Sequence, residues 1–126
     1  MTYLDTHVVV WLAGGLGPER LQAEGRALIA GGGELRISPM VRLELQYLDE
    51  IGRLGHPATD IYEQLAAEIG LRVCDAPFFA VVREAERQTW TRDPFDRLIV
   101  AQAAIHEAPL VTKDEGIHAA YDRAVW

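Results

Sequence analysis

Five acidic positions in this chain fall where carboxylates can do chemistry. Asp93 and Asp96 stand three residues apart in "RDPFDRLIVAQAAI" (Arg92 to Ile105), just where an apolar run begins. Asp5 follows the short stretch "TYL", and Asp114 follows "PLVT". Glu44 lies in "MVRLELQYLDEI", flanked at helical spacing by Met40, Val41, Tyr47, Leu48 and Ile51. That pattern places Glu44 in the middle of a buried helical stripe. A charged carboxylate there is costly unless it is paired or binds metal; an internal ion pair with an arginine and a metal answer that cost equally well. Converging carboxylates raise one another's pKa values unless a cation compensates. Oxygen-only ligands with few histidines suit Mg²⁺ or Mn²⁺ rather than zinc. The reaction such a cluster serves best is phosphodiester hydrolysis, in which a metal orients the phosphate, activates water and stabilises the leaving oxygen.

Each acid also has a plainer role. Asp93 is a good N-cap, Pro94 suits the first helical position, and Asp96 then sits at N3, as in a capping box with Asp in place of Glu. Leu98, Ile99, Ala101, Gln102 and Ile105 continue at helical spacing. Both aspartates gain from the positive end of the helix dipole, and on this window alone capping is favoured over catalysis. Asp5 and Asp114, each taken alone, also read better as caps or first-turn acids than as ligands, and Thr112 with Glu115 forms a capping-box pattern of its own. The case for chemistry comes from the set: the acids lie on different segments, and two of them follow predicted strands. Ligands of open parallel sheets bind outside the carboxyl ends of the strands.

The elements that must position these residues are short. Strands are expected at Thr2 to Leu4, Leu35 to Ser38, Leu71 to Asp75 and Pro109 to Thr112, with a last one at "AVW". Helices are expected at Thr6 to Ala13, Pro18 to Gly31, Met40 to Gly52, Ala58 to Ile69, Pro77 to Gln88 and Pro94 to His106, with a short one from Glu115. "AGGLGP", "AGGGE" and "RLGHPAT" read as loops or turns, none long enough for an interdomain linker. Short apolar strands alternating with helices indicate an α/β fold with a mostly parallel sheet.

The length, 126 residues, is that of one domain spanning 1–126, enough to bury one proper core. A hydrophobic content of 49% with 25% charged residues fits a globular chain and excludes a disordered one. No apolar run spans a bilayer and no signal-peptide pattern opens the sequence, so a cytoplasmic location is expected. Cys74 is the one cysteine, which excludes an internal disulfide and a zinc–thiolate cluster. The net charge of −7 counts against a generic nucleic-acid binder. The distribution softens that objection: eleven of twelve basic residues are Arg, the fork-shaped donor that pairs with phosphate. Arg83, Arg87, Arg92 and Arg97 fall in one stretch, which reads most simply as a solvated helix face. An acidic protein also suits a basic protein partner.

Four segments, "YLDTHVVVWL", "SPMVRLEL", "RDPFDRLIVAQA" and "LVTKDEGI", occur in an order and spacing that resembles the PIN domain family, specifically the VapC-type toxin ribonucleases of bacterial toxin–antitoxin pairs. The resemblance covers essentially the whole chain. Carried over residue by residue, it puts the family's acidic site on Asp5, Glu44, Asp96 and Asp114, with Asp5, Asp96 and Asp114 holding one or two metal ions. Asp96, not Asp93, matches the family's third acid, which leaves Asp93 as the cap that fixes the helix start. Thr6 and Thr112 match hydroxyl positions beside the acids. Arg97 either steadies the acids, contacts phosphate or is a surface helix arginine. The resemblance implies an α/β/α sandwich with a mostly parallel sheet, Mg²⁺-dependent (or Mn²⁺-dependent) endonuclease cleavage of RNA, a homodimer, and a cognate VapB-type antitoxin whose tail covers the acidic cleft. Trp11, Trp90 and Trp126, where exposed, would serve that interface, although Trp11 reads better as a packing residue. One departure is Thr91, where many relatives carry His; that position is not a metal ligand in the family and bears on substrate contacts. His7, His56, His106 and His118 share no ligand spacing and read as surface or packing residues.

Two other readings compete. The first is a catalytically weak module of the same fold that acts mainly by holding its antitoxin and operator DNA; the presence of all four acids argues against decay. The second is another carboxylate-and-magnesium α/β protein. A phosphatase with an aspartyl nucleophile wants a second Asp two residues after Asp5, where this chain has His7. A receiver domain wants a pair of acids before its phosphorylated Asp, and Lys113 alone does not make that set.

Overall fold

The computed structural model describes residues 1–15 and 20–126. Along the chain the described residues form β1 (Thr2–Leu4), α1 (Thr6–Ala13), α2 (Ala23–Ala30), β2 (Leu35–Ile37), α3 (Pro39–Glu50), α4 (Ala58–Ile69), β3 (Arg72–Val73), α5 (Phe78–Arg87), α6 (Pro94–Ala104), β4 (Leu110–Val111), α7 (Glu115–Ala120) and β5 (Ala124–Val125). The strands make one sheet in the order β3-β2-β1-β4-β5, and every pair in it is parallel. Parallel neighbours need helical crossovers, and the helices supply them, giving the expected three-layer α/β/α sandwich.

Strand order explains where a site can form. The chain builds outward from β1 through β2 to β3, then returns to the other side of β1 for β4 and β5. The direction of winding therefore reverses between β1 and β4. Crossovers on the two sides diverge there and leave a crevice at the carboxyl ends of the strands. Register sets Tyr3 opposite Leu110 and Leu4 opposite Val111, and the Asp5 amide still donates to the Val111 carbonyl at 3.0 Å. Asp5 and Thr112 thus leave the sheet side by side.

The sheet interior is apolar in both directions along the central strands: Leu4, Ile37, Leu110 and Val111 are essentially inaccessible. Such strands read as continuous hydrophobic runs because both faces are covered. Helices α1, α3 and α4 pack on one another, and α6 packs against α3 and α5. One buried polar link ties these helices to the sheet. Ser38 caps α3 by accepting from the Met40 amide at 3.1 Å, and its hydroxyl donates to Gln102 of α6 at 3.2 Å. The start of α3, which carries Glu44, is in this way tied to the last turn of α6, which carries Asp96.

Among the described residues each expected element is found, some with the expected bounds and others with shorter ends. The first part of the helix expected from Pro18 lies outside the described residues, and its described portion is α2, preceded by Gln22. Ser38 belongs to the α3 cap rather than to β2, so α3 opens at Pro39. Gly52 and Gly70 adopt positive φ angles of 76° and 69°, the left-handed backbone that stops α3 and α4.

Candidate active site

Asp5 emerges from β1 as the N-cap of α1, with its Oδ1 accepting from the Thr6 amide at 2.7 Å. Its Oδ2 accepts from the hydroxyl of Thr112 at 2.6 Å. Thr112 is fully buried, and the same hydroxyl oxygen accepts from the Asp114 amide at 3.1 Å. One side chain at the end of β4 therefore orders both acids that flank the switch point. His118 reinforces it by donating from Nε2 to the Thr112 carbonyl at 2.7 Å. Asp114 in turn caps α7, its Oδ1 accepting from the Ile117 amide at 2.8 Å. The capping box expected from Thr112 and Glu115 is replaced by this arrangement: the helix starts two residues later than that pattern implies, so the cap is Asp114 and the Thr112 hydroxyl is released to serve Asp5.

Glu44 reaches the same region from α3. Its Oε1 accepts from the hydroxyl of Thr6, which is fully buried at the start of α1. The environment differs from the sequence expectation. The buried stripe of α3 runs through Val41 and Leu45, while Tyr47 and Ile51 are about half exposed, so Glu44 lies on the stripe's margin and is itself half-buried. The arginine ion pair left open by the sequence is not made: among the described residues no Lys, Arg or His comes within ion-pair distance of Glu44, Asp5, Asp96 or Asp114.

The two aspartates of "RDPFD" divide. Asp93 is exposed and caps α6 by accepting from the Phe95 amide at 2.9 Å. In a capping box Asp96 would reach back to the Asp93 amide, but that amide donates to Thr91 Oγ1 at 3.2 Å instead. Asp96 is left half-buried, without a hydrogen bond among the described residues, and facing the other acids. Arg97 does not join them. Its guanidinium donates to the carbonyls of Ala85 and Glu86 at 3.0 and 3.3 Å, stapling α6 to the last turn of α5, where the helix dipole favours a cation.

Electrostatics show that the acids sense one another. Burial pushes the Asp96 carboxyl up to about 7, and the charges of Asp93, Asp5, Asp114 and Glu44 add to that rise. Burial raises Asp5 as well, against the lowering effect of its hydrogen bonds from Thr112 and Thr6. Glu44 is raised by burial and by Asp5, with the Thr6 hydroxyl opposing. His7 opposes the rise at Asp5 and Glu44, but among the described residues none of these carboxylates makes an ion pair. Their oxygens are hard donors of the kind that suit Mg²⁺ or Mn²⁺. As the side chains stand, no group of three His, Cys, Asp or Glu among the described residues is close enough to chelate one ion. The donor chemistry of these side chains fits a hard divalent cation.

A cavity of about 240 Å³ opens beside the acids, lined by Asp5, His7, Trp11, Lys113 and Asp114. Sequence reasoning gave His7, Lys113 and His118 no part in the site. The signal was present for two of them: Lys113, the chain's one lysine, immediately precedes Asp114, and His7 lies two residues after Asp5. Trp11 is only partly buried, with its ring against that of Trp126 rather than within the core.

Comparison with known proteins bears on this arrangement. The family model described as PIN domain matches residues 2–123. The chain belongs to the PIN domain family. This PIN domain is 34% identical over 113 residues to ribonuclease VapC22 of Mycobacterium tuberculosis (strain ATCC 25618 / H37Rv), a match that covers 88% of the chain and 85% of that protein. Its fold is similar to the crystal structure of VapBC2 from Rickettsia felis bound to a DNA fragment from their promoter, with a TM-score of 0.68 at 20% identity over 100% of this chain and 98% of that one. FitAcB from Neisseria gonorrhoeae is similar at 26% identity, with a TM-score of 0.59 over 100% and 96% of the two chains. No helix of the described residues is long and apolar enough to cross a membrane.

Proposed function

We propose that this PIN domain is the endoribonuclease toxin of a toxin–antitoxin pair, a VapC-type enzyme that hydrolyses RNA phosphodiester bonds at Asp5, Glu44, Asp96 and Asp114. The observation that supports the reading is that acids from separate segments act on the Asp96 carboxyl, that Asp5 and Glu44 accept from buried threonine hydroxyls, and that among the described residues none of the four makes an ion pair. An arrangement kept only for stability would pair such carboxylates or replace them. The name of the VapC22 relative as a ribonuclease supports the same activity.

Asp5, Asp96 and Asp114 would hold the divalent metal, Mg²⁺ or Mn²⁺. When bound, that ion offsets the carboxylate repulsion and supplies Lewis-acid activation of the phosphate and of water. The chain's own residues do the rest. Thr112 fixes the orientation of Asp5 and, through its contact with the Asp114 amide, the spacing of the two acids. Thr6 holds one oxygen of Glu44 and leaves the other to orient a water and accept its proton. Attack on phosphorus is in line and leaves a 5′-phosphate and a 3′-hydroxyl. Asp93 acts indirectly, by fixing where α6 starts.

A VapB-type antitoxin is the expected partner, inserting basic side chains at the acids; the Rickettsia felis neighbour is a VapBC assembly. A homodimer and a cytoplasmic location complete the reading. Cleavage of total RNA by purified, antitoxin-free protein tests it, with Mg²⁺, with Mn²⁺ and with EDTA. Metal-dependent cleavage that disappears in Asp96→Asn and Asp5→Asn is the expected result. Full activity in either variant would show the site assignment to be wrong. The binding-module reading predicts instead that wild type and Asp96→Asn are equally harmless when expressed without a partner.

A further inference from the structure

A second cavity adjoins the acids. Trp11, Arg20, Lys113 and Trp126 line a slot of about 230 Å³. Trp11 and Lys113 also line the cavity that holds Asp5 and Asp114, so the two spaces share a wall. The indole rings of Trp11 and Trp126 meet edge to face, with centroids 5.4 Å apart and planes 73° apart. The Lys113 ammonium stands 5.9 and 5.7 Å from the two ring centroids.

The fold builds this slot from parts that are far apart in sequence. Trp126 follows β5, and its backbone is held from both sides: its carbonyl accepts from the Gly25 amide at 3.2 Å, and the Val125 carbonyl accepts from Thr112 at 2.9 Å. A side chain at position 25 would force the backbone to shift, since a Cβ there would lie 2.8 Å from the Trp126 carbonyl carbon. Glycine thus lets α2 approach and seat Trp126 against Trp11. An edge-to-face pair leaves ring surface open to a third group, and here the Lys113 ammonium lies over both rings and would have to move aside for a stacked base. Both rings are only partly buried, so aromatic surface remains open to the slot.

We propose that this slot is a nucleotide subsite: one base of the RNA flanking the scissile phosphate stacks on the Trp11–Trp126 pair, and Lys113 with Arg20 meets its phosphate. This rests on the ribonuclease reading and extends it to how the substrate is held. The chemistry favours an anionic ligand with a planar group. Aromatic platforms beside cationic side chains are the way single strands are held without base-edge readout. The chain's one lysine, set between an aromatic pair and the acids, gives the phosphate a counter-charge where the net charge of −7 would otherwise repel it. A basic antitoxin segment suits the acids but is opposed in this slot by Lys113 and Arg20.

Binding read apart from cleavage tests the proposal. A fluorescein-labelled eight-nucleotide RNA of mixed sequence is titrated with the full chain in EDTA at low salt, and anisotropy gives the affinity. Trp126→Ala is expected to weaken binding about five- to hundredfold, the range for losing one stacked base. Trp126→Phe, which keeps an aromatic face, should stay within about threefold of wild type. Lys113→Gln should lower the slope of log K against log salt by about one. Thermal melts establish that each variant is folded; if Trp126→Ala does not fold, Trp126→Leu and the Lys113→Gln slope carry the comparison. Folded Trp126→Ala or Trp126→Leu binding as tightly as wild type overturns the slot, as does a wild type that does not bind the RNA. So does a loss of antitoxin binding with RNA affinity unchanged, which would assign the slot to the protein partner. Failure of the ribonuclease reading is seen separately, as absence of cleavage with Mg²⁺ and Mn²⁺ while stacking in EDTA persists.

Discussion

Replacing Asp96 by Asn should stabilise the metal-free protein while removing its activity. Asp96 is half-buried, makes no hydrogen bond among the described residues and faces four other acids, which together with burial raise its carboxyl from an ordinary 3.8 to about 7. That is a difference of about three pKa units, or ~4 kcal/mol at 1.36 kcal/mol per unit. Solvent reaches its open side and screens the repulsion, so about 1–2 kcal/mol is the realistic share. The sign follows from proton linkage. Between the unfolded value near 3.8 and the folded value near 7, the folded state holds more protons than the unfolded one, so this group makes stability fall as pH rises. The penalty is fully developed above about pH 7 and absent below about pH 4. In EDTA at pH 8, Asp96→Asn should melt about 3–8 °C above wild type, and the advantage should shrink towards pH 5. Saturating Mg²⁺ should reverse the order, because binding to the folded state raises the wild-type melting point and the variant has lost a ligand. Calorimetry at pH 8 and pH 5, with EDTA and with Mg²⁺, gives all four values. An Asn variant no more stable than wild type in EDTA at pH 8, or an advantage that does not change with pH, would refute the electrostatic account of the site.

Thr112→Val removes the hydroxyl that donates to Asp5 and accepts from the Asp114 amide; we expect a loss of about 2–3 kcal/mol in chemical denaturation and a large drop in cleavage, with both largely restored by Thr112→Ser. Asp93→Asn keeps a good cap and removes the charge that, after burial, raises Asp96 most; cleavage should persist, and the acid limb of its pH profile should move to lower pH. Asp93→Ala should lower stability by about 1 kcal/mol in the same denaturation assay. Arg97→Gln breaks the staple to the Ala85 and Glu86 carbonyls and should lower the melting temperature by the equivalent of about 1 kcal/mol, while metal affinity measured by titration calorimetry stays unchanged. Gly25→Ala should cost about 1–3 kcal/mol in thermal unfolding, because its Cβ meets the Trp126 backbone and not a movable side chain.

The sequence by itself determined the element order, a mostly parallel sheet and five acids worth watching, which only the family resemblance narrowed to four. These rest on local signals: apolar runs of the right length, Pro and Gly at helix ends, and acids placed directly after strands. It could not separate capping from chemistry, because a helix N-terminus and an anion site use the same residue types. The structure shows that the two roles are not alternatives: Asp5 and Asp114 are caps and are also drawn together by Thr112. It separates Asp93 from Asp96 by where one amide finds its acceptor, at Thr91 and not at Asp96. Helical periodicity placed Glu44 at the centre of a buried stripe, yet the packing of α3 against α4 and α6 left it at the margin, where Thr6 reaches it. Arg97 lay one residue from a candidate ligand and turned to α5, while Trp126, more than a hundred residues from Trp11, came to lie against it. Residue type and spacing decide what a side chain can do locally. Which partners it meets depends on strand order, since the switch between β1 and β4 brings Asp5 and Thr112 together across 107 positions that no local pattern spans.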